Sequence, residues 1–145
     1  NKCLYTGDPK GDGTGGESVF QDENGRVQPF EDEYSMDLWH FNGALSMVND
    51  GAEDNNGSRF CFVQSSSVNA DMLLEMKNIG FPSNVILKYA GVGGAPWLDT
   101  KQVVFAQVYD GLDVLDAIAA VKADENGVPK ENVVINSMSV EKYQG

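Results

Sequence analysis

Two cysteines, Cys3 and Cys61, and one histidine, His40, are all that the chain offers in thiol and imidazole chemistry. So few exclude a disulfide-knit scaffold and a four-cysteine zinc site, and they leave histidine-based metal catalysis almost without ligands. No metal and no cofactor is therefore expected. Basic residues are scarce as well. The 10 Lys and Arg stand against 22 Asp and Glu, for a net charge of -12, and they do not cluster, which excludes a nucleic-acid backbone as partner. No apolar run reaches the roughly 18 residues that cross a bilayer, and no basic-then-apolar segment opens the chain. The reading is a soluble protein with no membrane partner, cytoplasmic or exported after removal of a leader. At 145 residues it is expected to fold as a single domain over 1–145.

Glycine, by contrast, is abundant. The stretch GDPKGDGTGGES, 7–18, holds five glycines in twelve residues, with Asp8, Lys10 and Asp12 among them. Backbone N–H groups in such loops bind anions, and closely spaced aspartates bind hard cations. Neither chemistry fits the spacing. No G-x-x-x-x-G-K-[ST], no G-x-G-x-x-G and no D-x-D-x-D ladder is present. The local reading is a long turn-rich excursion in which glycine supplies positive φ.

Along the chain, 1–41 reads as mostly irregular after a short apolar start, CLY, with a DENG turn at 22–25. GALSMV (43–48) and RFCFVQ (59–64) read as short strands around a polar turn segment. Asn69 is placed to cap a helix in which Met72, Leu73 and Met76 share a face, with Gly80 ending it. A second helix is expected after Ser83. QVVFAQVY (102–109) reads as a strand by its β-branched and aromatic content, and GLDVLDAIAAV (111–121) as a helix. A second DENG follows at 124–127. NVVINSMSVEKY (132–143) alternates Val134, Met138 and Val140 against Ser137, Ser139 and Glu141, the pattern of a closing strand.

Short strands, long irregular loops and few helices point to a mainly β fold, an antiparallel β-barrel with peripheral helices. Four or five short strands seldom close a barrel. The chain also opens inside NKCLY with no cap or turn before it, so it reads as the later part of a larger barrel, incomplete in this chain.

Several segments together resemble the cyclophilin family of peptidyl-prolyl isomerases. The family's QGGDP…GTGGES is matched by YTGDPKGDGTGGES, its FEDE by residues 30–33, and its GLLSMANAG by GALSMVNDG. Its NGSQFF is matched by NGSRFC and its WLDGKHVVFG by WLDTKQVVFA. The likeness spans essentially the whole chain, as the C-terminal two-thirds or more of the family fold. A stretch at about 65–96 looks like an insertion of the kind bacterial members carry. The resemblance implies peptidyl-prolyl cis-trans isomerisation, acting on proline-containing peptides and unfolded protein. In the family the glycine-rich run is a loop beside the substrate groove. The family's catalytic arginine lies upstream of the residues present, along with the first strands and first helix. That raises the alternative of a non-catalytic peptide-binding module, favouring basic or extended peptides, and it raises self-association or a separate N-terminal segment completing the barrel.

Carried across motif by motif, the groove positions are Cys3, Tyr5, Val48, Asn49, Arg59, Cys61, Trp97, Leu98 and Gln102. Lys2 and Cys3 stand for the family's pocket Phe-Met pair, Tyr5 for its groove glutamine, Val48 for an alanine, Cys61 for a phenylalanine and Gln102 for a histidine; Asn49, Trp97 and Leu98 are retained. Large apolar pocket residues are thus reduced or made polar. Arg59 replaces a glutamine and is the candidate for a substituted catalytic donor, against the reading of an ion-paired strand residue in an acidic protein. Cys3 and Cys61 map to neighbouring pocket positions, either as a disulfide across the pocket or as two free buried thiols. Trp97 reads equally as a ligand contact at the pocket rim and as packing beneath the insertion. His40 is expected to be a packed or exposed side chain. The acidic runs EDE and NDGAEDNN read as solvated loops or weak calcium sites.

Overall fold

The computed structural model of the chain describes residues 2–143. Its frame is one antiparallel sheet of four strands: β1 (Lys2–Thr6), β2 (Ala44–Met47), β3 (Phe60–Gln64) and β4 (Val104–Gln107), in the spatial order β1-β3-β2-β4. Side chains along a strand alternate between faces, and β3 does so cleanly, with Cys61 and Val63 buried between partly covered Phe60, Phe62 and Gln64. β2 and β3 lie where the hydrophobic alternation placed them. β1 rises from the apolar start of a region otherwise expected to be irregular, and it pairs residue for residue with β3, Tyr5 opposite Cys61 and Cys3 opposite Val63.

The sheet is open, ending in β1 on one side and β4 on the other, and a bulge between Leu45 and Ser46 shifts the β2–β4 register. Its two faces differ. On one, Ala44, Val63 and Val104 pack with Ala95 into a small core that Leu98 closes. On the other, Leu4, Phe62 and Leu45 form a row across three strands, Phe60 lies opposite Met47, and the Phe60 ring meets Phe62 at 5.6 Å and Phe105 at 5.8 Å. This second face is only partly covered, with Phe105 49% exposed.

The 65–96 stretch supplies two helices, α1 (Ala70–Asn78) and α2 (Ser83–Val92). The Asn69 side chain accepts a hydrogen bond from the Met72 N–H at 2.8 Å, as its place before the apolar repeat predicts. Met76, Val85, Tyr89 and Phe41 form a second core, with Met72, Leu73 and Phe81 around it. A 3-10 turn, Pro96–Leu98, leads back to the sheet, and α3 (Leu112–Ala119) buries Leu115 and Ala119. Both DENG segments form the same turn: Asp22 and Asp124 each accept the N–H of the glycine three residues on, at 3.0 and 3.1 Å.

One expected element is absent. Residues 132–143 form no strand, and Val134, Met138 and Val140 are 64, 81 and 102% exposed. Alternation defines a face, but a strand also needs a neighbour to take its N–H and C=O groups, and this segment pairs with neither sheet edge. Among the described residues no helix is long and apolar enough to cross a membrane.

Candidate functional site

The glycine-rich loop is organised from within by Asp8. Its carboxylate accepts the backbone N–H groups of Lys10, Asp12 and Gly13 at 2.8, 3.1 and 2.6 Å, and these bonds, led by that of Lys10, hold it below the usual carboxylate range. Asp8, and Asp12 through its bonds from the Thr14 N–H and hydroxyl, are thus spent on the loop's own turns. Two glycines fix it against the segment before β3. Gly7 has φ 79° and a Cβ there would collide with the Ser58 carbonyl; Gly16 has φ 98° and a Cβ would meet the Arg59 and Ser58 side chains. Ser58 Oγ donates to Gly7 O at 2.5 Å across the same contact. Between the loop and the 55–59 segment lies a cleft of about 470 Å³, lined among others by Lys10, Thr14, Glu17, Asn56 and Arg59.

Arg59 sits at the floor of that cleft with its side chain 16% exposed. Its guanidinium forms a bidentate pair with Asp50, Nη1 to Oδ1 at 3.1 Å and Nη2 to Oδ2, and Nη1 also donates to Gly13 O at 2.5 Å. The ion-paired arrangement read as one alternative from the sequence is the one adopted. The pair spans loop and strand, linking the glycine run to the turn after β2.

On the face of the sheet that carries Val63, residues Cys3, Tyr5 and Cys61 share one side, with Tyr5 65% exposed. Tyr5 is directly opposite Cys61, with Cys3 on the diagonal, and the two cysteines are free thiols, Cys3 partly exposed and Cys61 fully buried. The Cys61 hydrogen bond, helped by the Tyr5 hydroxyl and opposed by burial, brings the Cys3 thiol down to about 7, while the same bond and burial push Cys61 far up. Desolvation and the neighbouring thiols push the Tyr5 hydroxyl up to about 12. Across β2, Ser46 is opposite Cys61, and its Oγ lies 3.4 Å from Gln102 Oε1.

The remaining positions read from the motifs lie on other elements. Val48 is buried after β2, and its N–H bonds Arg59 O at 3.1 Å. Asn49 is buried and occupied: its amide donates to Asp32 and Lys101 O, and its Oδ1 accepts the Gly51 N–H. Burial pushes the Asp32 carboxyl up, but donors from Asn56, the Asp54 N–H and Asn49 outweigh it and hold the group below the usual range. Trp97 stands 38% exposed on the 3-10 turn, whereas Leu98 turns inward onto the Ala44–Val63–Ala95–Val104 core and accepts the Gln102 N–H on its carbonyl. Among the described residues no cluster of three His, Cys, Asp or Glu is placed to hold a metal.

Residue spacing gave no sign of a buried, closely bonded polar group on the inner side of the sheet. His40, Ser46 and Asp99 are all buried, with His40 Nδ1 2.7 Å from Asp99 Oδ1 and Nε2 2.8 Å from Ser46 Oγ. Asp99 also accepts the His40 backbone N–H at 3.0 Å and the Tyr89 hydroxyl at 2.6 Å. Ser, His and Asp in this order are wired like a nucleophile, base and orienting acid. Ser46 has no exposed surface, so no substrate reaches its hydroxyl. The group is a clamp that joins α2, the turn carrying Trp97, and β2. His40 and Asp99 are 59 residues apart, and no short motif unites them.

The family model described as cyclophilin type peptidyl-prolyl cis-trans isomerase/CLD matches residues 1–140. A Staphylococcus saprophyticus protein named "Putative peptidyl-prolyl cis-trans isomerase" is 40% identical over 137 residues, covering 94% of this chain and 66% of the relative. A Staphylococcus aureus (strain USA300) protein of the same name is 40% identical over 139 residues, covering 96% and 67%. A crystal structure of a cyclophilin type peptidyl-prolyl cis-trans isomerase from Cryptosporidium parvum, obtained in the presence of the dipeptide Ala-Pro, superposes with a TM-score of 0.61 at 23% identity, over 89% of this chain and 61% of that one. A second structure of that protein gives 0.60 at 25% identity. The chain thus spans about two thirds of the length of these curated relatives and about three fifths of the solved chains.

Proposed function

The chain belongs to the cyclophilin-type peptidyl-prolyl cis-trans isomerase family, and from that premise we propose that it binds proline-containing segments of peptides and unfolded protein at the Cys3–Tyr5–Cys61 patch and its surround and accelerates their isomerisation. The observation that carries this reading is the family match over nearly the whole chain; the strand register, which sets Tyr5 opposite Cys61 with Cys3 on the same side of the sheet, supports it. The chemistry asks for little. The barrier, roughly 20 kcal/mol, comes from amide resonance, and it falls when a site prefers the twisted amide over the planar one. A shielded patch does this by withholding water from the planar, more polar amide, and a donor aimed at the twisted nitrogen adds to it.

In this reading Tyr5, Val48, Cys61, Trp97 and Leu98 form or shape the surface against the proline ring, Asn49 and Gln102 set the neighbouring loops, and Arg59 is the donor. A second reading, a peptide-binding module without catalysis, is favoured by one observation: the Arg59 guanidinium is already engaged by Asp50 and the Gly13 carbonyl. The net charge of -12 favours basic peptides in either case. Exchange of a short Lys-containing Ala-Pro peptide, followed by NMR with and without protein, separates the two. Faster cis–trans exchange is expected, weakened by Trp97→Ala; shifted peptide signals with unchanged exchange would leave the binding module.

We read 65–96, which carries α1 and α2, as an insertion within a single domain. The partly covered face bearing Leu4, Phe60, Phe62 and Phe105 fits a further β-segment, from a second copy or a separate N-terminal segment, because open sheet edges and apolar faces recruit strands. Solution mass above that of the denatured chain is expected if copies complete one another, and a mass equal to one chain would exclude it.

A further inference from the structure

Ser46 is where the buried polar group reaches the candidate site. Its Oγ lies 2.8 Å from His40 Nε2, and 3.4 Å from Gln102 Oε1 and from Met47 O. Gln102 is only half-buried, and its backbone N–H is held by Leu98 O. Its side chain makes no other hydrogen bond among the described residues, so one end of the amide meets Ser46 and the other has no protein partner. Which end is which depends on protons. The Asp99 carboxylate accepts the His40 backbone N–H, the His40 ring at Nδ1 and the Tyr89 hydroxyl, so Nδ1 carries a proton in either charge state of the ring. The second ring proton, on Nε2, is the variable one.

Ser46 has a single proton to give. With the ring neutral, Nε2 is an acceptor and the shorter contact takes that proton, leaving only serine lone pairs toward Gln102. An amide N–H can use them and a carbonyl cannot, so Gln102 turns its nitrogen to Ser46 and its oxygen outward. With the ring charged, Nε2–H donates to Ser46, the serine proton is released to Gln102 Oε1, and the amide nitrogen faces outward. The recorded contact, Ser46 Oγ to Gln102 Oε1, matches this second arrangement.

We propose that the charge of His40 is relayed through Ser46 to Gln102, which is an acceptor toward bound peptide when the ring is neutral and a donor when it is charged. Gln102 is then a specificity-determining residue, with His40 and Ser46 as positioning residues. That peptide is the ligand rests on the proposed groove; the relay itself does not. Imidazole is the side chain whose charge ordinarily changes between about pH 5 and 8. The other ionisable groups around the relay are few. Asp99 faces the ring directly, and Tyr89 of α2 reaches it through Asp99, with a hydroxyl that burial and Asp99 push far up. Cys61 of β3 is a buried thiol opposite Ser46, Lys101 beside Gln102 is exposed, and Lys88 of α2 lies over the ring of Phe41, next to His40.

The test is NMR on the isotope-labelled folded chain from about pH 8 to about pH 5. The single histidine makes the ring nitrogens unambiguous, Gln102→Leu assigns the side-chain amide signals, and Ser46→Ala cuts the relay. The expected result is that Nε2 changes from acceptor to N–H and the Gln102 amide protons shift with the same midpoint, whereas in Ser46→Ala the ring titrates and the amide does not follow. Different midpoints, an amide that follows the ring equally well in Ser46→Ala, or a ring that keeps one state until the chain unfolds would overturn the relay. If Ser46→Ala fails to fold, the unmodified chain decides: cross-relaxation between the Gln102 amide protons and the Ser46 side chain should be present near pH 8 and lost near pH 5, and its persistence contradicts the amide turning over. Binding gives the specificity arm. A Lys-containing Ala-Pro peptide, which offers donors, should weaken about three- to tenfold on acidification, one hydrogen bond's worth, with most of that change gone in Gln102→Leu. The same change in Gln102→Leu would overturn the specificity role. Absence of peptide shifts at every pH would sink the groove reading and leave the relay standing.

Discussion

Asp99→Ala is expected to cost about 3–5 kcal/mol, as for a buried pair broken from one side, and to be the most damaging single change in the chain. The reason is the number of donors that share this carboxylate. His40 gives it both a ring N–H and its backbone N–H, and Tyr89 gives its hydroxyl, all at 2.6–3.0 Å in surroundings closed to water. Each donor left unpaired costs about 1–3 kcal/mol, and an alanine offers none of them a new acceptor. Against a total stability of about 5–15 kcal/mol for a domain, that is enough to unfold a large share of molecules on mild denaturation. Asp99→Asn keeps one acceptor and should lose about half as much. Tyr89→Phe removes one bond, about 1 kcal/mol, and should show where the damage spreads: hydrogen exchange should rise first in α1 and α2, because Tyr89 ties their core to the sheet. Denaturant midpoints of the three variants check the order, and Asp99→Ala as stable as Tyr89→Phe would mean that the clamp contributes through Tyr89 alone.

That clamp also marks the limit of what the sequence shows. Elements whose cause is local were legible: Asn69 before an apolar repeat caps α1, both DENG segments make the same aspartate-closed turn, and the alternation of 59–64 emerges as β3. Elements whose cause lies elsewhere in the chain were not. Residues 132–143 alternate as well as β3 does, yet they form no strand, because pairing depends on a neighbour that the pattern does not contain. His40 and Asp99 carry no spacing signature, so a lone histidine could be read only as packed or exposed. The site positions came from motif resemblance. The geometry adds the state of each: Arg59 engaged, Asn49 occupied, Leu98 turned inward, Cys3 and Cys61 free thiols.

Arg59→Ala should lower the catalysed exchange of an Ala-Pro peptide about 10²-fold in kcat/KM, the usual loss when a donor to the transition state is removed. The substitution also frees Asp50 and the Gly13 carbonyl, so a loss of rate could come from a loosened glycine loop instead of a lost donor. Asp50→Ala separates these. It breaks the same tie but leaves the guanidinium in place with one contact, to Gly13, still holding it. If Arg59 donates to the twisted amide, releasing it from Asp50 should hold or raise the rate, because a guanidinium shared with a carboxylate is a weaker donor to anything else. If the ion pair serves only to fix the loop, Asp50→Ala and Arg59→Ala should lower peptide binding alike, with exchange as slow as in free peptide for all three proteins. Equal binding in all three, with exchange lost in Arg59→Ala alone, is the outcome that assigns the chemistry to this residue.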